Sequence, residues 1–498
     1  MSNGLLHDLS ISDAIQGAAT MPSIPREAIL DTVPRSALAA TKKIVNLVPI
    51  TGNSVGPNAT VQFLIPQRNL MKASSLYLKF KLTGVNGAQR LSFSGLLGSA
   101  ASLINNMTIQ AGGVVVESLQ NYHLWHNNVL ANAHQGNDML AVEALCSGSK
   151  LPNTGVGAFA VDQAAAAKNY TQDVVGYSDD TTNTGGTRTF NADINDTKNF
   201  TTGASMTGVY SFPLLAGIFN PKESQLVPLQ FINGGILLTI QTNPVSKAFF
   251  ENTVASPTAV STFTMENMEL CYTEITPAPE YVLRIREEMM AGKMIKIEAQ
   301  SYQQYNVACG TSVRQNFNVN LSSVSSIFWG RVFGPDTTTT SKYFQGFGYD
   351  SNANNRYELY LDNVLLFNSP NQLNSIAVQV RQLQEALASS VADYQISPIA
   401  IGRGNNATYT SSVPGYTSGS GFIDNTFYTS NMLYGLSTKL FASNSTSMDG
   451  TPIGVLTVNF QVANDSSVAD PSTALWYIYV VYDYIYLVDA TGSVSKNQ

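Results

Sequence analysis

Over most of its length the chain alternates between apolar and more polar residues, the period-two pattern of a β-strand with one buried face. In the clearest case Leu76, Leu78, Phe80 and Leu82 are each separated by one more polar residue. Further strands are predicted at residues 61–65, 209–212, 236–242, 268–273, 294–299, 316–319, 326–333 and 455–462. The pattern predicts an all-β protein with short helices.

One succession of elements is predicted twice. A strand, a tight turn at Gly112-Gly113, a second strand and a helix occupy residues 103–133. The same order occupies residues 357–391, with the turn at Asp362-Asn363 and an apolar stripe of helical spacing at its end. The two copies share order and spacing rather than residue identity. We therefore predict two tandem β-sandwich domains of similar plan.

A change of period marks the junction between these domains. After the prolines at 277 and 279, apolar residues recur with helical spacing at Val282, Ile285 and Met289, and Gly292 follows. A proline at the start and a glycine just past the end are typical of a helix. The pattern predicts a helix that links the two domains.

These patterns together predict the division of the chain. Residues 1–42 are interrupted by prolines and are expected to form an arm rather than a domain. Two long polar segments, at about 148–205 and 401–425, are expected to be displayed loops. The predicted segments are the arm (1–42), a first sandwich (43–278), a linker helix (279–292), a second sandwich (293–490) and a C-terminal tail (491–498).

The most apolar run of the chain, residues 474–488, is shorter than the ~20 residues of a membrane-spanning helix and is rich in β-branched and aromatic residues. It predicts a strand that is apolar on both faces. A strand of a free-standing sandwich normally has one wet face. We therefore expect this strand to be covered by the other domain or by another subunit.

Composition adds a functional constraint. Only 12% of the residues are charged, against 44% that are hydrophobic, whereas a soluble monomer normally carries many surface charges. Such a surface suits a protein that is covered by copies of itself. The net charge of −7 and the absence of a basic run argue against direct condensation of nucleic acid. The N-terminal residues do not resemble a signal peptide.

The order of several segments resembles that of double jelly-roll major capsid proteins of the tectivirus–adenovirus lineage, which includes virophages and polinton-like viruses. The residues that carry the resemblance lie in the run from Leu103 to Ile109, in the helix with Tyr122-His123-Leu124-Trp125, and in the segments 212–216, 226–229 and 235–240. The resemblance covers roughly residues 43–490 and is one of architecture and segment order.

This resemblance implies two tandem eight-stranded jelly rolls, standing upright in a capsid shell. It implies trimeric capsomers that tile an icosahedral DNA-virus shell, with penton and minor capsid proteins as further partners and an internal membrane as a possible one. The two polar loops would face outward. It implies no catalytic site, cofactor or resident metal, no sequence-specific binding of nucleic acid, and localisation to the virion of a chain assembled inside the host cell.

Two alternatives stay open at the level of the sequence. His123 and His126 share a helix face, and with His134 they could form a metal or pH-sensing site, although no carboxylate completes a ligand set and packing is the simpler interpretation. A β-sandwich could also serve as a receptor- or glycan-binding spike or fibre module. The scattered positions of Trp125, Trp329 and Trp476 argue against a glycan pocket.

Overall fold

The computed structural model describes most of the predicted sandwich strands. The described residues are 40–83, 91–94, 99–130, 146–147, 208–220, 226–251, 262–332, 355–366, 371–373, 376–390, 433–439, 450–461 and 475–497. Residues 1–39 of the predicted arm, both predicted displayed loops and His134 lie outside them.

The first part of the chain forms strands that are joined mainly by short connections. They are β1 (Ala40–Leu47), β2 (Ser54–Val55), β3 (Thr60–Ile65), β4 (Leu70–Thr83), β5 (Leu91–Phe93), β6 (Ile104–Ala111), β7 (Val114–Leu119), β8 (Gly208–Pro213), β9 (Leu226–Val227), β10 (Ile236–Thr242), β11 (Phe249–Glu251) and β12 (Thr264–Pro277).

These strands pair in the order of a jelly roll. One sheet has the order β1-β12-β4-β8, and the other has the order β3-β10-β6-β7. When the eight strands of these two orders are numbered along the chain, one sheet has the order first–eighth–third–sixth and the other has the order second–seventh–fourth–fifth. This antiparallel arrangement of eight strands in two sheets defines a jelly roll.

The second part of the chain forms the remaining strands. They are β13 (Ile295–Ala308), β14 (Ser312–Val332), β15 (Arg356–Leu361), β16 (Val364–Leu365), β17 (Asn371–Gln372), β18 (Tyr434–Ser437), β19 (Thr451–Gln461), β20 (Leu475–Val488) and β21 (Val494–Asn497). All of them belong to one nine-stranded sheet.

Strand β14 explains how one sheet can form a second jelly roll. Its residues 312–318 pair with β19, whereas its residues 326–332 pair with β20 and, in part, with β18. Bulges between Asn318 and Val324 separate these halves. Counting the halves as two strands, the pairings β13-β20-β14-β18 and β14-β19-β15-β16 repeat the order of the first jelly roll.

The two groups of strands in this second jelly roll pack face to face. Phe460 of β19 stacks on Trp476 of β20 with ring centroids 4.3 Å apart, although these strands are not paired. Trp329 of β14 likewise lies 5.1 Å from Tyr357 of β15. The fold is therefore two tandem jelly rolls, as the sequence predicted.

The helices and 3-10 turns lie between the strands. The helices are α1 (Tyr122–Trp125, continued by a π-helical turn His126–Leu130), α2 (Val245–Ala248), α3 (Pro279–Met290) and α4 (Ile376–Ser390). The 3-10 turns are Ala100–Leu103, Gly217–Phe219 and Leu229–Phe231.

Several sequence predictions are confirmed at the level of these elements. The twice-predicted succession is observed as β6, β7 and α1 and again as β15, β16 and α4. A helix, α3, occupies the segment predicted to link the two domains, and Gly292 ends it with a positive φ of 89° while its amide donates to the Met289 carbonyl. Two strands extend beyond the predicted sandwiches: β1 begins at Ala40, within the segment predicted as the arm, and β21, within the segment predicted as the tail, pairs with β20.

Candidate functional site: the junction between the two jelly rolls

The strand with two apolar faces, β20, is buried along both of them. Trp476 points inward, toward Phe460. Tyr479 has the opposite parity along the strand and therefore points outward, yet it is fully buried. Trp125 of the first jelly roll lies 5.4 Å from its ring, so of the two predicted covers, the other domain or another subunit, the other domain is observed here.

An aromatic cluster joins the two jelly rolls. Trp125 of α1 stacks on Tyr302 of β13 with ring centroids 4.6 Å apart and an interplanar angle of 28°. The same indole lies 5.4 Å from the ring of Tyr479 and 6.1 Å from that of Phe328. Aromatic pairs of this kind contribute beyond the area they bury, by about 0.5–1.5 kcal/mol each.

The residue that precedes α1 helps to position this cluster. Asn121 precedes the helix with a left-handed φ of 48°, and its side chain does not cap the helix. Instead its Nδ2 donates a 2.9 Å hydrogen bond to Oε1 of Gln304 in β13. The residue that would ordinarily cap a helix is therefore used to attach the helix to the second jelly roll.

A buried carboxylate forms the second part of the junction. Glu117 of β7 accepts hydrogen bonds from the Tyr486 hydroxyl at 2.7 Å and from the Ser301 hydroxyl at 2.9 Å. It also accepts from Nζ of Lys496 at 3.0 Å. All three donors belong to the second jelly roll. A buried charge requires such compensation, because its desolvation costs several kcal/mol.

Lys496 is held by aromatic rings as well as by Glu117. Its Nζ lies 4.1 Å from the ring centroid of Tyr484 and 4.9 Å from that of Tyr482, and it donates to the Tyr482 hydroxyl at 2.8 Å. Cations over aromatic faces are attracted by the ring quadrupole. The strand β21, which the sequence assigned to a tail, therefore supplies the cation of the junction.

The tyrosine hydroxyls of this cluster stay protonated. Burial, reinforced by the negative charge of Glu117, raises the pKa of Tyr486 well above its usual value, and burial also raises the pKa of Tyr484 in the same way. Their hydroxyls lie 2.6 Å apart. Because Tyr486 donates to Glu117, Tyr484 is the donor in that pair, and the chain of hydrogen bonds ends on the carboxylate.

Backbone contacts complete the junction. The amide of Asn233 donates to the Gly492 carbonyl at 2.9 Å, and the Tyr302 hydroxyl donates to the Gln120 carbonyl at 3.3 Å. Polar, aromatic and backbone contacts thus connect the two jelly rolls at several points. The arrangement is suited to holding two sandwiches in a fixed relation, which is a mechanical rather than a chemical task.

Two of the three histidines singled out in the sequence lie in the core, and the third, His134, lies outside the described residues. His123 and His126 are both buried, and the His126 ring lies 5.8 Å from Tyr122 and 5.7 Å from Phe212. Within the described part of the chain, no group of three or more His, Cys, Asp or Glu residues is placed to hold a metal ion. His126 therefore packs among aromatic rings, and His123 is buried on the same helix.

The polar residues of the junction could not be found from the sequence. Glu117 and Lys496 are separated by 379 residues, and neither lies in a motif. The only signal was indirect, in the two apolar faces of residues 474–488.

No helix among the described residues combines the length and the apolar character that a membrane crossing requires. The described part of the apolar run, Leu475–Val488, is instead strand β20, as predicted.

The pairing order and the junction define a double jelly-roll protein, and comparison with solved structures agrees. The fold is similar to that of the mavirus major capsid protein, with a TM-score of 0.54 and 10% identity over 96% of this chain and 95% of that one. It is similar to a chain of the Sputnik virophage particle, with a TM-score of 0.56 and 12% identity over 96% and 92%. The Faustovirus major capsid protein matches with a TM-score of 0.50 and 10% identity over 98% of both chains.

At sequence identities of 10% and 12%, the likeness to these structures establishes the fold alone. No protein-family model matches the sequence, and neither does any curated protein. The similarity nevertheless spans nearly all of this chain and of each structure, so both jelly rolls and their order are shared.

Proposed function

We propose that this chain is a major capsid protein, which forms trimeric, pseudo-hexagonal capsomers that tile the icosahedral shell of a DNA virus. The observation that carries the proposal is the pair of jelly rolls with one pairing order, held together by a buried junction. The shared fold of the mavirus and Faustovirus major capsid proteins supports it.

The physical basis of this function is the fixed relation of two similar wedges. Three chains with two wedges each can imitate a ring of six near-equivalent units. A head-to-tail contact closes such a ring when its rotation closes. The low fraction of charged residues reduces the desolvation cost of each contact between copies.

The remaining partners follow from this role. The proposed partners of this chain are neighbouring capsomers, penton proteins and minor capsid proteins, with an internal membrane beneath the shell as a further proposed contact. The proposed location of the chain is the virion. In this proposal the segment before β1 is an arm that contacts neighbours or the inner layer, residues 279–292 link the two jelly rolls, and the loops 148–205 and 401–425 face outward.

The proposed action is assembly and involves no catalysis. The rival proposal of a glycan-binding spike or fibre would need an accessible aromatic pocket. Trp125, Trp329 and Trp476, the only tryptophans of the chain, are all buried in jelly-roll cores or in the junction.

The mass of the purified full chain in solution tests the proposal. We expect multi-angle light scattering to give the mass of a trimer at micromolar concentration, and negative-stain images to show a hexagonal outline. A persistent monomer in this range, or glycan binding without any self-association, would contradict the proposal.

A further inference from the structure

A cavity of about 280 Å³ lies beside helix α3, between residues of the two jelly rolls. Three separate parts of the chain line it. The polar and apolar groups that matter below are Gln67, Gln230 and Phe231 of the first jelly roll, Arg286 and Met289 of α3, and Thr491 of the turn between β20 and β21. The volume is close to the lower end of the range for small-molecule sites, which is about 300 Å³.

Hydrogen bonds fix the polar wall of this cavity. Oε1 of Gln67 accepts from the Gly234 amide at 3.2 Å, and Nε2 of Gln67 donates to the Gln230 carbonyl at 3.3 Å. The Thr491 hydroxyl donates to Oδ1 of Asp489 at 2.6 Å, within its own turn. The wall is therefore formed before any ligand arrives, and binding costs little ordering of the protein.

Arg286 gives the cavity a positive charge. Among the described residues that line it, Arg286 alone is charged, and its guanidinium forms no ion pair with any described residue. The neighbouring cations are engaged, since Arg284 and Lys293 lie 3.7 and 3.6 Å from the carboxylate of Glu288. Arg286 is thus available to an anion from outside the chain.

A second donor lies at the wall of the cavity. Nε2 of Gln230 is buried and has no hydrogen-bond partner in the described part of the chain. A buried donor without an acceptor is unfavourable. Rotation about the last bond of the side chain exchanges the two ends of the amide, so that an acceptor in the cavity would satisfy it.

The rest of the lining that concerns a ligand is apolar. Phe231 and Met289 are both buried. Methionine has an unbranched side chain that adapts to the shape of an apolar group. The cavity therefore combines one cation and amide donors with a short apolar surface.

We propose that this cavity binds a monocarboxylate that carries a short apolar chain, with the carboxylate on Arg286 and the Gln230 amide and the chain against Met289 and Phe231. A guanidinium matches a carboxylate with two parallel N–H donors. The same groups recognise a small carboxylate and the carboxyl end of an extended peptide. The inference is independent of the proposed function, because one chain supplies the whole lining.

Titration of the purified full chain with hexanoate, followed by saturation-transfer NMR, tests the site. For a ligand of this size we expect saturable binding with a dissociation constant on the order of 1 mM. Hexanamide has the same length and no charge, and we expect it to bind at least about tenfold more weakly. Hexanoate binding that does not saturate, or equal binding of hexanamide, would overturn the proposal.

Variants locate the bound carboxylate. Arg286→Gln should weaken hexanoate binding about tenfold or more, whereas Arg286→Lys should retain part of the affinity. Arg284→Gln is the matched control, because Arg284 lies on the same helix, is 82% exposed and does not line the cavity. Unchanged affinity in Arg286→Gln, or an equal loss in Arg284→Gln, would contradict the assignment.

Gln230→Leu separates recognition from stability. It removes the donor but also removes a buried group without a partner, so we expect binding to weaken several-fold while the unfolding temperature does not fall. Full affinity of this variant would remove Gln230 from the site and contradict the proposed contact.

A peptide distinguishes the two sources of the carboxylate. An acetylated dipeptide of alanine and valine with a free carboxyl group is compared with the same dipeptide amidated at its C-terminus. Preference for the free acid assigns the site to chain ends, and binding of hexanoate but neither peptide assigns it to small carboxylates. Equal binding of both peptides would show that the carboxylate is not recognised and would overturn the proposal.

Discussion

At the scale of single residues, asparagine sets a corner of each jelly roll. Asn69 lies between β3 and β4, and Asn320 lies at the bulges of β14, where the chain passes from one group of strands to the other. Both have a left-handed φ of 50°. Asparagine tolerates this conformation better than other residues with a side chain, so the same backbone solution occurs at equivalent positions of the two jelly rolls.

Also at this scale, the charge of Glu117 should stabilise the junction measurably. Glu117→Gln removes the counter-ion of Lys496 and weakens three hydrogen bonds, so we expect a loss of about 3 kcal/mol in the free energy of unfolding. Chemical denaturation at one fixed oligomeric state measures it.

Glu269→Gln is the matched control for this change. Glu269 forms a 2.9 Å ion pair with Lys79, but both side chains are substantially exposed. We expect that substitution to cost less than about 1 kcal/mol. Equal losses in the free energy of unfolding for the two variants would show that the burial of Glu117 does not determine how much it contributes to stability.

At the scale of elements, the β6–β7 hairpin contacts the turn between β20 and β21. A Cβ on Gly112 would lie 2.9 Å from the Gly492 carbonyl oxygen and from the Val494 nitrogen. Its neighbour Gly113 has a similar positive φ, but a Cβ there would have no atom within 4 Å. Substitutions of these two glycines therefore distinguish the cost of backbone strain from the cost of disturbing the contact between the jelly rolls.

We therefore expect Gly113→Ala to cost about 1–2 kcal/mol, which is the cost of the left-handed conformation alone. Gly112→Ala should cost at least about twice as much, because the methyl group also meets backbone atoms of the second jelly roll. Thermal and chemical unfolding of the pair measure the difference. Identical destabilisation would mean that the hairpin and the turn separate at no cost.

At the scale of the whole molecule, the junction should make the two jelly rolls unfold together. Trp125 is almost fully buried between them. Wild type should show one calorimetric transition, and Trp125→Ala should separate it into two by removing the stacking on Tyr302. Substitution of a large buried side chain by alanine typically costs about 3–5 kcal/mol.

Phe93→Ala is the control for this prediction. Phe93 packs on Phe249 and Tyr210, which both belong to the first jelly roll. It should lower the transition temperature without dividing the transition. Two transitions in wild type would contradict the coupling of the jelly rolls.

The sequence by itself determined which segments have the apolar spacing of a strand and which that of a helix, and the order of these segments along the chain. Alternation predicted the strands, the double succession of hairpin and helix predicted the repeat, and Gly292 predicted the end of α3. These features depend on neighbouring residues, and a side-chain period of 2 or 3.6 is legible in one chain.

The tertiary structure alone decided the rest. The sequence predicted separate strands at 316–319 and 326–333, but β14 runs unbroken from Ser312 to Val332, because pairing with β19 at Leu321 and Val324 carries it through the polar corner. The partnership of Glu117 with Lys496 likewise depends on strands that are distant in sequence. Such contacts leave no local pattern, since the groups that satisfy a buried charge are chosen by packing and not by spacing along the chain.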